Sequence, residues 1–187
     1  MRKDLGPKTW LTPMPVLIIG TYDENGKADA MNAAWGGIYD TNQITVSLAS
    51  HRTTTNIRNQ KAFTISFATR KTVEASDYVG IVSQNRVPDK MAKAHLHDIK
   101  SNHVNAPLFE EYPLTLECKL ISLDGSEGEG GTLIGEIVNV SVDESILTND
   151  KVDLKKLDPI CFDCINNKYV ALGEDVANAF KIGLNLK

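Results

Sequence analysis

Long apolar runs are missing from this sequence, and no stretch approaches the roughly 20 residues that a membrane-spanning helix needs. The opening M-R-K-D-L-G-P-K-T-W carries basic residues, but no apolar segment follows it, so we expect no signal peptide. Cysteine is scarce: the chain has three, an odd count that fits a reducing compartment better than a disulfide framework. We therefore expect a cytoplasmic protein that makes no membrane contact.

Basic stripes and metal-ligand motifs are missing too. The formal net charge is −4 and the Lys and Arg residues are scattered, so we expect no nucleic-acid surface. His95, His97 and His103 fit no helical or zinc-finger spacing, and Cys161 and Cys164 form a C-x-x-C pair without a second pair. We expect no metal site, and we interpret the two cysteines as strand residues rather than a redox disulfide.

The sequence does contain a series of β-rich segments separated by turn residues. Its 187 residues, 42% of them hydrophobic, suit one domain over residues 1–187 with a sizeable core. The patterns predict strands at 16–22, 28–35, 43–49, 62–68, 112–123, 132–143, 159–164 and 168–172, and helices at 53–60, 72–83, after Pro88 and at 176–184. This order favours a mainly β (α+β) fold: a β-barrel with short peripheral helices.

The stretch from Lys27 to Asn56 combines small residues with a polar cluster. K-A-D-A-M-N-A-A-W-G-G follows a predicted Asn-Gly turn and precedes a loop. Its Ala and Gly residues are unusual for a strand, and one reason for them is the close approach of something to the backbone. Its single large ring, Trp35, is by itself more typical of a core or interface aromatic than of a ligand contact.

The segment H-R-T-T-T-N lies at a predicted helix N-terminus, with a threonine as the expected N-cap. Hydroxyls, a guanidinium and free N–H groups at such a position suit a phosphate. A capped helix with solvated neighbours would have the same residues. Taken together, the small-residue strand and the polar cluster suit a ligand with a flat ring and a phosphate, which we interpret as flavin mononucleotide (FMN).

Five ordered parts of the chain resemble the flavin reductase-like, FMN-binding split-barrel family, and within it the flavoredoxin group. They are P-M-P-V-L-I-I-G-T-Y-D-E-N-G-K-A-D-A-M-N-A-A-W-G-G, R-T-T-T-N-I-R-N with F-T-I-S-F, D-K-M-A-K-A-H-L, G-T-L-I-G-E-I-V-N-V-S-V-D-E and Y-V-A-L-G-E. No single part is specific, but the ordered set is. The resemblance implies a split barrel that binds FMN non-covalently, as a homodimer with the flavin near the subunit interface.

The resemblance also implies roles for individual residues. Those expected to line or pass beside the ring are Asn32, Ala33, Ala34, Trp35, Ser47, Leu48, Ala49 and Phe162. Those expected to hold the phosphate and ribityl chain are Arg52, Thr53, Thr54, Thr55 and Asn56. Lys90 would approach the flavin and favour its reduced anion, although an exposed helix lysine would look the same in sequence. No catalytic side chain is expected, because the chemistry belongs to FMN.

Two positions depart from the family pattern. Asp29 stands where the family often has Asn, and a carboxylate near a ring that becomes anionic is unfavourable. Gly131 stands where the family often has His. FMN binding remains expected, while hydride transfer from NAD(P)H is left open.

The resulting hypothesis is an FMN-binding redox protein, either a flavoredoxin-like electron carrier or an NAD(P)H:flavin oxidoreductase. Its partner would be a redox protein or NAD(P)H. The alternatives are a non-catalytic flavin-binding or sensing module, or a split-barrel protein that uses another cofactor such as a deazaflavin or haem. The lack of an obvious axial His near Trp35 counts against haem.

Overall fold

The computed structural model describes residues 1–126 and 128–186, and β-strands dominate them. The strands are β1 Met14–Pro15, β2 Leu17–Tyr22, β3 Ala28–Ala33, β4 Gly36–Asp40, β5 Gln43–Leu48, β6 Ala62–Phe67, β7 Asp98–Lys100, β8 Pro107–Phe109, β9 Leu114–Leu123, β10 Gly131–Val142, β11 Leu147–Thr148, β12 Lys151–Val152, β13 Ile160–Asp163 and β14 Lys168–Ala171. The α-helices are α1 Arg52–Gln60, α2 Val73–Ile81, α3 Lys90–Lys93 and α4 Leu154–Leu157, and short 3-10 helices cover Arg70–Thr72, Glu144–Ile146 and Ile182–Leu186. None of the helices in these two ranges has both the length and the apolarity to span a bilayer.

Seven strands form the main sheet, in the order β3-β2-β6-β9-β10-β5-β4, with every neighbouring pair antiparallel. Register shifts along β10, opposite β9, interrupt the regular pairing, and such bulges bend a sheet and increase its twist. The sheet curls into a half-barrel. A smaller sheet, β1-β13-β14, lies beside it. The predicted mainly β fold with short peripheral helices is therefore confirmed.

Strand β2 is buried on both faces, because alternate side chains enter two different apolar clusters. Leu17 and Ile19 pack in one cluster, to which α1 contributes Ile57. Ile18 packs in the other, to which α2 contributes Val79. The β2–β3 hairpin therefore lies between the two helices, and its turn has a fixed position relative to both.

The small residues of β3 admit helix α2. Ala28 and Ala30 are buried in the same cluster as Val79 of α2. Further along, the Asn32 side chain donates a hydrogen bond to the carbonyl of Ser76, with an Nδ2–O distance of 2.9 Å. A Cβ added at Gly80 would lie 2.9 Å from the Asn32 Cβ, so the helix and the strand are nearly in backbone contact here. The predicted close approach is real, and on this face the approaching group is the protein's own helix.

Helix α1 begins one residue earlier than predicted, and its N-cap is His51 rather than a threonine. The expected capping role falls to Thr54, in the first turn of the helix. Its hydroxyl accepts a hydrogen bond from the His51 N–H (3.2 Å) and donates one to the His51 carbonyl (2.6 Å). Because Thr54 bonds back to the backbone of the N-cap residue, the neighbouring polar groups of the first turn remain available for other hydrogen bonds.

Two predictions of local structure were wrong. The segment after Gly37, expected to be a loop, continues β4, which pairs with β5. The helix predicted at 176–184 is not formed: residues 172–178 have no regular secondary structure, and a 3-10 helix covers only Ile182–Leu186. Val176 and Phe180 are fully exposed, so the segment lacks the packed apolar face that stabilises most protein helices.

Candidate functional site

A cleft of about 800 Å³ opens at the turn of the β2–β3 hairpin. Its walls come from the turn itself, the N-terminus of α1, the end of α2 with the segment after it, and Lys90 at the start of α3. Cofactor-sized pockets typically measure roughly 300–1,000 Å³. The cleft is therefore large enough for a nucleotide-like ligand.

Six of the residues predicted for the site line this cleft: Asn32, Arg52, Thr53, Thr55, Asn56 and Lys90. They come from β3, α1 and α3, which lie far apart in the sequence. The polar cluster and Lys90 are thus brought together as predicted, whereas the small-residue strand contributes only Asn32 from the predicted set.

The first turn of α1 offers unused hydrogen-bond donors. The N–H groups of Thr54 and Thr55 both turn back to the His51 carbonyl, at 3.1 and 3.4 Å. Within residues 1–126 and 128–186, the N–H groups of Arg52 and Thr53 donate a hydrogen bond to no acceptor. Free N–H groups and the helix dipole favour an anion at such a terminus.

Arg52 is held in position by the hairpin turn. Its Nη2 lies 2.5 Å from Oδ2 of Asp23, and its Nη1 donates to Oδ1 of Asn85 at 2.9 Å. Asp23 is buried and also accepts hydrogen bonds from the N–H groups of Asn25 and Lys27. Burial raises the pKa of Asp23, but these hydrogen bonds and the Arg52 charge outweigh burial, so its pKa lies below the ordinary value.

Lys90 forms a buried ion pair with Asp29. Its Nζ lies 3.2 Å from Oδ1 of Asp29, and each side chain is 3% exposed. Nζ also donates to the carbonyl of Ala30 at 2.6 Å. Burial lowers the pKa of Lys90, and the attraction of Asp29 offsets part of that shift. The departure from Asn to Asp at position 29 is therefore compensated by a lysine, and the carboxylate is not left unpaired near the cleft.

Sequence reasoning missed the cleft wall after α2, which includes Gln84 and Asn85. Gln84 is buried, and its Nε2 donates to the carbonyl of Ala28 at 3.1 Å. Among the side chains described, its Oε1 is the buried polar atom without a hydrogen-bond partner, and leaving such an acceptor unsatisfied costs roughly 1–3 kcal/mol. The run of polar residues S-Q-N-R before Pro88 was the feature that could have identified this loop.

The remaining predicted residues do not line the cleft of a single chain. Trp35 is 56% exposed and lies between β3 and β4, following Ala33 and Ala34. Thr54 is buried and occupied with His51. Phe162 packs against Tyr169 on the small sheet, with ring centroids 6.1 Å apart.

Ser47, Leu48 and Ala49 lie under the β9–β10 turn instead. β5 pairs with β10, with Leu48 opposite Gly131. A Cβ added at Gly130 would meet the Leu48 carbonyl at 2.2 Å, and one at Gly131 would meet the Asp124 carbonyl oxygen at 1.9 Å. Backbone therefore fills the space that a side chain at position 131 would need.

The donor set of the cleft fits a phosphate-bearing ligand that also carries hydrogen-bond donors. A guanidinium, two threonines and two unused N–H groups suit phosphate and hydroxyl oxygens. The unpartnered Gln84 oxygen suits an N–H or O–H of the same ligand. Neither feature requires a metal ion or a protein nucleophile.

Comparison with known protein families matches residues 10–157 to the model described as "Flavin reductase like domain". A search of the curated proteins found no match.

Among solved structures, the chain is similar to a flavoredoxin of Desulfovibrio vulgaris (Miyazaki F), with 39% identity, a TM-score of 0.91, and coverage of 98% of this chain and 100% of that one. A flavoredoxin from Methanosarcina acetivorans has 26% identity and a TM-score of 0.89, with full coverage of both chains. An FMN-binding domain of a flavin reductases-like enzyme from Shewanella baltica OS155 has 18% identity and a TM-score of 0.78 over 88% of each chain. The split-barrel fold predicted from the sequence is confirmed.

The Asp23–Arg52 contact generates a pH-dependent prediction. Asp23→Asn should destabilise the protein by about 1–3 kcal/mol at neutral pH, the scale of hydrogen bonds to charged groups. Because the folded pKa of Asp23 is lowered, its contribution is present above the unfolded value of 3.8 and is lost as the pH falls through the folded pKa. The difference between variant and wild type should therefore shrink in acid, as measured by urea denaturation.

Glu24→Gln is the matched control for this experiment. It removes a carboxylate from the adjacent, exposed position of the same turn, so its effect should stay within about 0.5 kcal/mol. A loss of stability in Asp23→Asn that is equally large at neutral and acid pH would contradict the role given to the carboxylate.

Proposed function

The chain belongs to the flavin reductase-like family, within its flavoredoxin group, and on that premise we propose that it is an FMN-binding electron carrier. The observation that carries the proposal is the cleft, where the open first turn of α1 faces a wall with an unsatisfied acceptor. A ligand with an anionic group and hydrogen-bond donors would satisfy both features, and FMN has both.

In this proposal each side chain has a binding role. Arg52, Thr53, Thr55 and Asn56 hold the phosphate and the ribityl hydroxyls, and Gln84 accepts a hydrogen bond from an N–H or O–H of the ligand. Bound FMN would supply the redox chemistry, taking up two electrons with one or two protons and releasing them again. The protein binds and orients the group and shields it from water.

We assign the electron source to a reduced redox protein of the ferredoxin-like, iron–sulfur class rather than to NAD(P)H. Gly131 supports this choice, because no side chain is present there and the Asp124 carbonyl occupies the space that one would need. Electrons leave the carrier to an oxidised acceptor protein. NAD(P)H would instead deliver a hydride, and this chain lacks the histidine that the family often has at position 131.

The proposal includes a homodimer that completes the ring-binding half of the site. Ile38 and Tyr39 lie on β4, one of the two edge strands of the main sheet, and Trp35 adjoins it. Trp35, Ile38 and Tyr39 are 56%, 75% and 58% exposed. An exposed apolar patch on an edge strand is typical of an interface. In the dimer, the second copy would bind part of the flavin ring. The predicted residues that would reach this ring are Ala33, Ala34, Trp35, Ser47, Leu48, Ala49 and Phe162.

A cytoplasmic location is part of the same proposal. Cys118, Cys161 and Cys164 are all free thiols in the structure. Free thiols suit a reducing compartment such as the cytoplasm.

The phosphate assignment predicts that Arg52→Ala weakens FMN binding by about 1–3 kcal/mol, because a charge-assisted hydrogen bond is lost. Quenching of flavin fluorescence during titration measures the affinity. Arg58→Ala is the matched control: it removes the same side chain from the same helix, but Arg58 binds carbonyls of Leu123, Asp124 and Gly125 outside the cleft. Equal affinities of Arg52→Ala and wild type would remove Arg52 from the site.

The carrier assignment predicts which reductants work. Under anaerobic conditions, reduced ferredoxin should bleach the absorbance of the bound FMN much faster than NADH or NADPH at the same number of electron equivalents. Dithionite gives the full extent of bleaching as the reference. Faster bleaching by either nicotinamide would instead favour an NAD(P)H:flavin oxidoreductase.

The dimer assignment predicts that Ile38→Asp shifts the mass in light scattering after size-exclusion chromatography from two chains towards one. FMN affinity should fall with it, because the second copy completes the site. Ile99→Asp, at an exposed position on β7, should change neither quantity. A single-chain mass for the wild type at all concentrations would overturn the dimer.

A further inference from the structure

The buried ion pair of Asp29 and Lys90 has an exposed neighbouring pair with the same separation of charged atoms. Asp29 and Lys90 line the cleft, their charged atoms are 3.2 Å apart, and each side chain is 3% exposed. Asp89 and Lys93, on either side of Lys90 in the chain, are also 3.2 Å apart but are 57% and 54% exposed. Water screens the exposed pair, whereas the buried charges act strongly on whatever lies in the cleft.

Lys90 keeps its position through a second acceptor. Two of the three N–H donors on Nζ are directed to β3, one to Oδ1 of Asp29 and one to the Ala30 carbonyl. Asn at position 29 would retain an oxygen acceptor of nearly the same shape while losing the charge. The charge at this position can therefore be removed without releasing the ammonium group.

The charged side chains lining the cleft are balanced, with three carboxylates and three cations. They are Asp23, Glu24, Asp29, Arg52, Arg86 and Lys90. Asp23 is matched by Arg52 at 2.5 Å. Asp29 is correspondingly the group that cancels the buried charge of Lys90.

We propose that Asp29 lowers the redox potential of the bound flavin by cancelling the charge of Lys90. This inference rests on the proposed function as an FMN-binding carrier. Reduction of FMN increases the negative charge held in the cleft, so an uncompensated buried lysine would favour the reduced state. Asp29 removes that advantage, and a lower potential makes the carrier a stronger donor to its acceptor.

The test is the midpoint potential of FMN bound to the full chain, measured by spectroelectrochemical titration. Asp29→Asn should favour binding of reduced over oxidised flavin at least tenfold more than the wild type does, a shift of about +30 mV for a two-electron couple. Flavin titration of each variant, without any turnover assay, establishes that the site is loaded. Asp89→Asn removes the same charge from the exposed pair and should leave the potential at the wild-type value.

A second variant tests the cancellation itself. Asp29→Asn combined with Lys90→Gln replaces the ion pair by a neutral pair of similar shape, so its potential should return close to that of the wild type. This double variant also serves if Asp29→Asn fails to fold, because a shift of tenfold or more in either direction would contradict cancellation.

The possible outcomes distinguish a failure of the proposed function from a failure of the role given to Asp29. A wild-type chain that binds no FMN overturns the proposed function and this inference together. A wild-type chain that binds FMN, with an unshifted potential in Asp29→Asn or a double variant that behaves like Asp29→Asn alone, overturns the role of Asp29 and leaves the proposed function standing.

Discussion

Burial of strand β2 on both faces is the constraint on which the rest of the structure depends. Leu17 and Ile19 enter the core shared with α1, and Ile18 enters the core shared with α2. The two helices are thereby fixed on opposite faces of one hairpin, with the cleft at its turn. The turn is itself ordered by Asp23, whose side chain accepts two backbone N–H groups. The hairpin side of the cleft therefore rests on packed strands and helices.

The same hairpin supplies the negative partner for each cation that it places in the cleft. Asp23 holds Arg52 at the turn, and Asp29 holds Lys90 on β3. Paired charges keep both side chains in place before a ligand arrives, which reduces the entropy lost on binding. The pairing also decreases the net attraction for an anion, so the free N–H groups of α1 gain relative importance. The ion pairs thus fix the positions of Arg52 and Lys90, whereas the free N–H groups of α1 account for more of the attraction for an anion.

The sheet and the polar helix start that lines the candidate cleft could be predicted because both are encoded locally. Alternating apolar residues in β6 and β9 reflect the cores directly, and the first turn of α1 is a contiguous polar segment. Gln84 was missed because a loop residue has no periodicity, and its importance comes from one unsatisfied atom. The helix expected around Val176 was wrong because helical spacing alone does not supply a surface to pack against. Trp35 could not be placed at the site, since one chain leaves it exposed.

The backbone around Gly131 limits which residues this position can hold. With the Asp124 carbonyl oxygen 1.9 Å from the place of a Cβ, histidine cannot be introduced there by substitution alone, since the β9–β10 turn would have to follow another path. A side chain at position 131 therefore needs an altered length or conformation of the β9–β10 turn as well as the substitution itself.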